Sequence, residues 1–293
     1  MNGLAVACRR VVHIYRAAAG DVVALAGVDL SIAPGEMLAL VGPSGSGKST
    51  LVSLLAGLMR PSAGRVNVGT FDLGRLTDSE LERLRGTSIG VVMQNAARNL
   101  LGYASLQRNI WLAQRRAAKT AGIQLDHPDR ILDLVGLPGR GRAKVAELAP
   151  GARQRAALAV GIAASPGLLL VDEPTSQLDS SGRDEVLAAL ETVNSERGTT
   201  IVVVTHDLEV GAHLGRAVTI RDGRVGAEGR DGQDFAVVAG DGTVQLPPDV
   251  LGAFPPGTLF SVERLDGTVS LVAGSGPVDA GGAPLTGAAP VTD

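Results

Sequence analysis

Short apolar runs alternate with longer amphipathic segments over residues 1–230 of the chain. Four of these runs are compact and bounded by turn residues: Met37 to Val41, Ile89 to Met93, Leu168 to Val171, and Thr200 to Val204. Uninterrupted apolar runs of this length are typical of strands that are buried on both faces of a parallel sheet. We therefore expect an α/β core in which such strands alternate with helices.

Capping and turn residues mark the ends of other elements. Thr77-Asp78-Ser79-Glu80 has the pattern of a capping box and predicts the start of a helix. Ser181 to Arg197 carries apolar residues at helical spacing, and this predicts a helix that ends at Gly198. Asp222-Gly223, placed between two apolar runs, predicts a hairpin turn. Val11 to Ile32 predicts antiparallel strands lying on the edge of the sheet.

The pattern changes after Arg230. Residues 235–272 predict a strand, a short helix and a strand, with prolines between them, whereas residues from 274 onward are rich in Gly, Ala and Pro without any period. A segment of that composition does not bury enough apolar surface to fold. We expect one large domain over residues 1–230, a small β-rich module over residues 231–273, and a disordered tail over residues 274–293.

A glycine-rich loop follows the first compact strand. It matches the pattern GxxxxGK(S/T) and lies between a predicted strand and a predicted helix, as a phosphate-binding loop must. Its residues are Gly42, Pro43, Ser44, Gly45, Ser46, Gly47, Lys48, Ser49 and Thr50. Gly45 and Gly47 let the backbone N–H groups wrap around phosphate oxygens, Lys48 can reach the β- and γ-phosphates, and the Ser49 hydroxyl can bind Mg²⁺. The loop predicts nucleotide binding.

Polar side chains follow two other compact strands. Asp172 and Glu173 come directly after Leu168 to Val171, and His206 follows Thr200 to Val204. Because parallel strands present their ligands at their carboxyl ends, we expect these side chains to lie beside the loop. Asp172 is then placed to bind Mg²⁺ and Glu173 to deprotonate the attacking water. His206 could contact the γ-phosphate and position the water, although a lone histidine is more often structural.

Composition and charge narrow the choice of partners. The formal net charge of −3 gives no electrostatic reason to expect nucleic-acid binding. The single cysteine, Cys8, excludes an internal disulfide and indicates a reducing compartment. Arg9 and Arg10 interrupt any signal-peptide core, and no stretch approaches the roughly 18 apolar residues that a membrane span requires. We expect membrane contact only through a partner.

These residues together resemble the ATPase subunits of ABC transporters, over about Leu4 to Arg230. The resemblance implies a P-loop ABC-type ATPase domain with a mixed-sheet core, an antiparallel β subdomain and a helical subdomain. It implies that Tyr15 stacks on adenine, although an aromatic residue of an edge strand would look the same. Gln94 matches the Q-loop glutamine, which contacts Mg²⁺ and couples to the membrane subunit. Asp179 belongs to the segment that resembles the D-loop.

Three stretches resemble one branch of this family, the branch of lipoprotein release, macrolide export and cell division. They are Leu76 to Arg85, Asn99 to Leu101, and Asn109-Ile110. Surface helices of this kind also recur in many other ABC ATPases. The resemblance implies an ATP-hydrolysing subunit, using ATP and Mg²⁺, that lies in the cytoplasm on the inner membrane face and drives a separate permease by closing a dimer.

One family motif departs from its usual form. Where the family has LSGGQ, this chain has Leu148, Ala149, Pro150, Gly151 and Ala152. In the family this signature reaches across a head-to-tail dimer to the γ-phosphate on the other subunit. Ala149 has no hydroxyl, Pro150 has no N–H, and Ala152 lacks the amide of glutamine. Two arrangements stay open: a heterodimer whose other ATPase subunit supplies a sound signature, or a homodimer with slow turnover.

The C-terminal module resembles the swapped-hairpin module of AbrB- and MazE-like regulators through residues 242–251 and 257–264. That resemblance implies a dimerisation or regulatory role, and a plain hairpin on the ATPase domain is the alternative. Two other functions also stay open. One is a membrane-coupled ABC ATPase of cell division or cell-wall remodelling. The other is a transcriptional regulator that uses the ATPase as a sensor, which the low basic charge disfavours.

Overall fold

The computed structural model describes residues 3–16, 20–121, 125–230, 233–238, 242–244, 254, 258–265 and 268–273. The strands are β1 (Val6–Tyr15), β2 (Val22–Ile32), β3 (Met37–Val41), β4 (Ala63–Val68), β5 (Phe71–Asp72), β6 (Ile89–Val92), β7 (Leu168–Asp172), β8 (Thr200–Thr205), β9 (Arg216–Arg221), β10 (Arg224–Arg230), β11 (Gln233–Ala236), β12 (Phe260–Leu265) and β13 (Thr268–Ala273). The α-helices are α1 (Lys48–Leu55), α2 (Asp78–Thr87), α3 (Leu106–Ala121), α4 (Pro128–Leu134), α5 (Pro150–Gly161), α6 (Ser180–Arg197) and α7 (Leu208–His213). Short 3₁₀ turns lie at Ala96–Arg98 and Val145–Glu147.

A seven-stranded mixed sheet forms the centre of the molecule, in the order β11-β10-β9-β3-β8-β7-β6. Strands β9, β3, β8, β7 and β6 pair in parallel, and the hairpin strands β10 and β11 extend the sheet antiparallel. Alternate residues of a strand enter different cores: Leu168 and Leu170 pack on one face of the sheet, Leu169 and Val171 on the other. Because both faces are covered, the apolar runs are continuous, as expected for this sheet type.

The N-terminal strands belong to a second sheet. Strands β1 and β2 are antiparallel, but they join β4 and β5 in a separate four-stranded sheet of order β2-β1-β4-β5. The expectation that Val11 to Ile32 lie on the edge of the main sheet is therefore wrong. Residues of β1, β2 and β4 instead pack in the same core as Leu38 and Leu40 of β3, so this sheet covers one face of the main sheet.

Local signals for helix ends and turns are confirmed. The Thr77 side chain accepts from the Glu80 N–H and the Glu80 carboxylate accepts from the Thr77 N–H, so the capping box is complete at the start of α2. Helix α6 ends at Gly198, whose φ of 63° is left-handed. Asp222 and Gly223 both have positive φ between β9 and β10, as a type I′ hairpin turn requires. Helices α3, α4 and α5 cover the other face of the main sheet.

The chain divides into two compact units, Met1–Gln245 and Leu246–Asp293. Strand β11 pairs with β10 in the first unit, and strands β12 and β13 form an antiparallel hairpin in the second. The predicted short helix, the turn at residues 266–267 and the tail at residues 274–293 lie outside the described residues. The predicted domain assignment stays a prediction. In the described part of the chain, no helix combines the length and apolar character that crossing a membrane demands.

Candidate functional site

The glycine-rich loop connects the end of β3 to the start of α1, and close contacts fix its shape. Gly42 has a φ of 148°, and a Cβ atom there would lie 2.2 Å from the carbonyl oxygen of Ile220. Gly47 has a φ of 107°, and its Cβ would lie 2.5 Å from the carbonyl oxygen of Ala24. Any side chain at these two positions would push the loop away from its neighbours. The loop is therefore built as a backbone cradle.

Lys48 is the first residue of α1 and is buried, with 8% of its surface exposed. Its ammonium group donates to the carbonyl oxygens of Gly42 and Pro43 at 2.7 and 2.8 Å. Burial lowers the pKa of the Lys48 ammonium, whereas the charges of Glu173 and Asp172 act to raise it. The Ser46 hydroxyl is buried and has no hydrogen-bond partner within the described structure. Free N–H groups of the first turn of α1 complete an anion-binding environment.

Asp172 and Glu173 stand at the carboxyl end of β7, beside the loop. Burial raises the pKa of the Asp172 carboxyl, the charge of Glu173 raises it further, and Lys48 opposes both. Glu173 has a left-handed φ of 46°, and its N–H donates to the carbonyl oxygen of Val204 on the neighbouring strand β8 at 2.9 Å. A positive φ at a residue with a side chain is strained, and such strain is common at functional sites.

His206 follows β8 and contacts the carboxylate of Glu173. Its Nδ1 atom lies 2.9 and 3.0 Å from the two carboxylate oxygens. The His206 side chain is 71% exposed, whereas that of Glu173 is 13% exposed. The strand tip that carries the histidine is held by the Asp207 N–H, which donates to the buried Thr205 hydroxyl at 3.0 Å. His206 therefore holds the Glu173 carboxylate next to the phosphate loop.

One cavity of about 690 Å³ gathers most of the predicted site residues. Its lining includes Tyr15, Ser44, Gly45, Gly47, Lys48, Ser49, Thr50, Gln94, Asp172, Glu173 and His206. Of the predicted loop residues, Gly42, Pro43 and Ser46 are not part of this lining, but the Gly42 and Pro43 carbonyl oxygens accept from Lys48. Elements separated by more than a hundred residues in sequence thus meet at one edge of the sheet, as the strand order requires.

Tyr15, the last residue of β1, lies at one end of this cavity. Its hydroxyl is 3.2 Å from Thr50 Oγ1 and 3.7 Å from the sulfur of Met59. Its ring makes an edge contact with the buried ring of His13, with centroids 4.8 Å apart. The Tyr15 side chain is 42% exposed and neighbours Val22 and Val23 in the cavity wall. A partly exposed ring beside apolar residues provides a stacking surface for a nucleobase.

The signature segment and the D-loop line a different cavity, of about 570 Å³. Ala149, Pro150, Gly151 and Ala152 line it together with Asp179, while Leu148 is buried in the core. Asp179 caps α6, because its carboxylate accepts from the Gly182 N–H at 2.9 Å. The structure therefore separates these residues from the cavity that holds Lys48 and Glu173.

Helix α5 starts within the signature without a polar cap. Ala149 occupies the N-cap position and makes no side-chain cap, and Pro150 is the first helical residue. The pyrrolidine ring suits that position but removes one of the N–H groups that helix N-termini offer to anions. A Cβ at Gly151 would be 3.3 Å from the Cα of Gly182, so the backbone of α5 packs closely on α6.

Two residues that the sequence did not mark as site residues hold the site loops. The Asn99 amide donates to the carbonyl oxygens of Met93 and Asn95 at 2.9 and 3.2 Å, and its oxygen accepts from the Met93 N–H at 2.9 Å. Asn99 thus fixes the backbone on both sides of Gln94. Arg183 on α6 donates to Glu209 at 2.7 Å and lies 3.6 Å from Asp207, next to His206. No local sequence pattern signals either contact.

The residues of the 690 Å³ cavity fit a nucleoside triphosphate and a metal ion. Gly47, whose surroundings admit no Cβ, and the buried Lys48 ammonium line the cavity and supply N–H donors for phosphate oxygens. The described residues contain no group of three or more His, Cys, Asp or Glu side chains placed to hold a metal. The Ser49 hydroxyl, the Gln94 amide and the Asp172 carboxylate suit Mg²⁺, which in such sites also binds phosphate and water oxygens.

Comparisons with known proteins agree with this geometry. Residues 25–176 match the sequence family described as "ABC transporter". The lipoprotein-releasing system ATP-binding protein LolD of Geobacter metallireducens is 41% identical over 204 residues, 70% of this chain and 90% of that protein. The macrolide export ATP-binding/permease protein MacB of Rhodopirellula baltica is 39% identical over 218 residues, 74% of this chain and 32% of that protein.

A solved structure of an ATP-binding cassette is also similar to this chain. A dimeric structure of a post-hydrolysis state of the ATP-binding cassette MJ0796, bound to ADP and phosphate, is 30% identical with a TM-score of 0.67, and the match covers 77% of this chain and 98% of that chain.

The fold, the cavity and these matches define the class: the chain belongs to the ABC transporter family and is an ATP-hydrolysing ABC cassette. Within that family it is an ATP-binding subunit of the branch that includes LolD and MacB, and it powers a separate membrane permease. The similar cassette MJ0796 forms a dimer. The predicted fold class, family and activity are confirmed.

Proposed function

We propose that this chain hydrolyses ATP in the cavity between the glycine-rich loop and the tips of β7 and β8, with Glu173 as the general base. One observation carries the proposal: the carboxylate of Glu173, held by His206 through both of its oxygens, lines the same cavity as Lys48 and Ser49. A carboxylate so placed can accept a proton from a water molecule that attacks the γ-phosphate.

The other cavity residues bind and orient. Loop N–H groups and Lys48 hold the phosphates, with the ammonium exchanging its contacts to the Gly42 and Pro43 carbonyl oxygens for phosphate oxygens. Tyr15 stacks on the adenine. His206 keeps the Glu173 carboxylate turned toward the phosphate and contacts the γ-phosphate with its exposed edge. Together these contacts place the nucleotide in line with the attacking water.

Ser49, Gln94 and Asp172 would hold Mg²⁺, since all three line the cavity. A bound Mg²⁺ neutralises charge that develops on the phosphate oxygens. The raised pKa of Asp172 fits a carboxylate that is costly to ionise until a cation is near.

The partners follow from the two separate cavities. The predicted signature lines a different cavity from the glycine-rich loop, and this supports a second ATPase subunit, in head-to-tail orientation, that supplies the segment covering this chain's ATP. We favour a second subunit with a sound signature, since Ala149 and Pro150 remove donors from this one. Movement of the Gln94 loop on closure then drives the permease, at the cytoplasmic face of the membrane.

The experiment that tests the catalytic proposal is Glu173→Gln. It removes the base but leaves the phosphate-binding groups in place, so we expect turnover to fall by about 10²–10⁴-fold while ATP still binds and holds the dimer closed. Steady-state hydrolysis and gel filtration with ATP–Mg²⁺ measure the two effects. Glu191→Gln is the matched control, because Glu191 forms a surface ion pair with His213 on the outside of α6. Unchanged hydrolysis in Glu173→Gln would remove Glu173 from the mechanism.

A further inference from the structure

The outer face of α3 carries a stripe of basic and aromatic side chains. Arg108, Trp111, Arg115 and Lys119 are spaced three or four residues apart, so they project from one side of the helix. All four are exposed, whereas Leu106, Asn109, Ile110, Gln114 and Ala117 on the opposite side are buried. We call Arg108, Trp111, Arg115 and Lys119 the basic face.

The charge of this helix contrasts with that of the chain. Helix α3 contains four basic residues and no acidic one, in a chain with a formal net charge of −3. Within the part of the chain that the structure describes, neither Arg108, Arg115 nor Lys119 forms an ion pair with a carboxylate. No carboxylate among the described residues therefore neutralises the positive charge of the face.

Trp111 is the single tryptophan of a chain with few aromatic residues, and it lies between two arginines. The guanidinium carbons of Arg108 and Arg115 are 4.6 and 5.2 Å from its ring centroid. Cation–π contacts of this kind hold the arginine side chains along the ring. The ring remains 42% exposed, so an amphipathic aromatic surface and two guanidinium groups face outward together.

An exposed apolar loop precedes α3, the helix that carries the basic face. Leu101 and Tyr103 are 40% and 81% exposed. The Leu101 N–H donates to the Asn109 side-chain oxygen at 2.7 Å, and the Asn109 amide donates to the Leu101 carbonyl oxygen at 3.3 Å. These two bonds tie the loop to the first turns of α3. The exposed apolar loop is thus fixed at the N-terminal end of the helix that carries the basic face.

We infer that the basic face binds the anionic phospholipid headgroups of the membrane in which the permease lies. The inference rests on the proposed function, because the permease is what brings the chain to the membrane. Guanidinium groups bind phosphates, and tryptophan and tyrosine rings favour the headgroup region of a bilayer. A helix with a basic face and an exposed tryptophan has the composition of helices that contact anionic membrane surfaces.

Vesicle binding of the purified full chain, without nucleotide, tests the inference. We expect the chain to co-sediment with vesicles of phosphatidylglycerol and phosphatidylcholine but not with phosphatidylcholine alone, and to be released by high salt. Trp111 is a built-in probe, and its fluorescence should shift to the blue on binding. Arg108→Gln/Arg115→Gln should weaken binding by about fivefold for each arginine, about 25-fold in all. Thermal melts verify that the variant is folded.

The matched control is Arg9→Gln/Arg65→Gln, which removes two exposed arginines that are paired across β1 and β4. Equal weakening by both double variants, or equal binding to both vesicle types, would overturn the inference. Absence of vesicle binding, with a detergent-solubilised permease complex that dissociates only in Arg108→Gln/Arg115→Gln, would assign the face to an acidic protein segment instead. ATP hydrolysis, measured separately, reports on the proposed function and is not needed for vesicle binding.

Discussion

The two parts of this chain that we propose to contact nucleotide in a dimer differ in their completeness. The cavity beside β3, β7 and β8 has a glycine cradle, a buried ammonium, two carboxylates and a histidine. The start of α5 has alanine where a capping hydroxyl is expected and proline at the first helical position. A chain can therefore keep the machinery that cleaves its own ATP while losing donors for the ATP of its neighbour.

This difference determines which subunit of a dimer depends on the other for hydrogen-bond donors to its ATP. Losing a hydrogen bond to a charged group costs about 1.5–3 kcal/mol, and a symmetric dimer would carry that cost at both of its sites. A partner with an intact signature would remove the cost at this chain's ATP and leave it at the partner's own. For a heterodimer with such a partner, we therefore expect one active and one weakened site.

The largest expected effect, a loss of ATP affinity, comes from disrupting the glycine-rich loop of the complete cavity. Gly47→Ala places a methyl group 2.5 Å from the Ala24 carbonyl oxygen at a left-handed φ, so the loop must open. We expect ATP affinity to fall by at least about a hundredfold, as steric strain of about 1–3 kcal/mol adds to the lost phosphate contacts. Equilibrium binding of a fluorescent ATP analogue measures it.

Gly45→Ala is the control for that experiment. Gly45 has a similar left-handed φ of 80°, but a Cβ there meets nothing within 4 Å. A smaller loss of ATP affinity in Gly45→Ala would show that the contact with the Ala24 carbonyl oxygen, and not the left-handed φ alone, weakens binding in Gly47→Ala. If the two variants lost the same affinity, the cradle argument for Gly47 would be wrong.

The second effect, a gain in ATP turnover, comes from restoring the family signature at the start of α5. Ala149→Ser/Pro150→Gly/Ala152→Gln restores the donors at the start of α5. We expect the chain alone to hydrolyse ATP slowly and the repaired chain to turn over about tenfold faster, from a gain of about 1.5 kcal/mol. Hydrolysis measured over a range of protein concentrations checks it, with the exposed Ala146→Ser as control. Brisk turnover by the unaltered chain alone would contradict a defective signature.

The smallest effect concerns stability. The pKa of Asp172 is raised in the folded chain by burial and by Glu173, so its ionised form is disfavoured by folding. The favourable contribution of its protonated form is complete below the ordinary carboxyl pKa and is lost as pH rises through the raised value. At neutral pH, Asp172→Asn should therefore raise the melting temperature by a few degrees at most, although hydrolysis falls.

Scanning calorimetry at neutral and acidic pH checks this prediction. The difference between Asp172→Asn and the parent chain should shrink as the pH falls below the ordinary pKa of aspartate, since Asp172 is then protonated in both states. Asp133→Asn, at an exposed position of α4, is the control. A lower melting temperature for Asp172→Asn at neutral pH would show that this carboxylate stabilises the fold.

The sequence predicted those features that local chemistry determines. Strand β3 and the helix starting at Thr77 follow from an apolar run and a capping box. The meeting of Asp172, Glu173 and His206 beside Lys48 follows from the rule that parallel strands end at one edge. These features needed no knowledge of distant contacts.

Features that depend on distant contacts were not predicted. The separate sheet of β1, β2, β4 and β5 arises from pairing between Val6 and Val68, far apart in sequence. The support of the Gln94 loop by Asn99 depends on a backbone conformation, with a positive φ at Asn95, that no pattern specifies. Arg183 reaches Asp207 only because α6 packs beside the tip of β8.

Because β3, β8 and β7 are neighbours in the sheet, insertions and deletions within these strands are restricted. Their register is unbroken, with Val41 opposite Thr205 and Asp172 opposite Val204. Inserting or deleting a single residue in any of these strands would turn every later side chain to the other face of the sheet, because side chains alternate along a strand. Diversity within these strands can therefore accumulate by exchanging residues in place, whereas changes of length are tolerated in the loops that connect them.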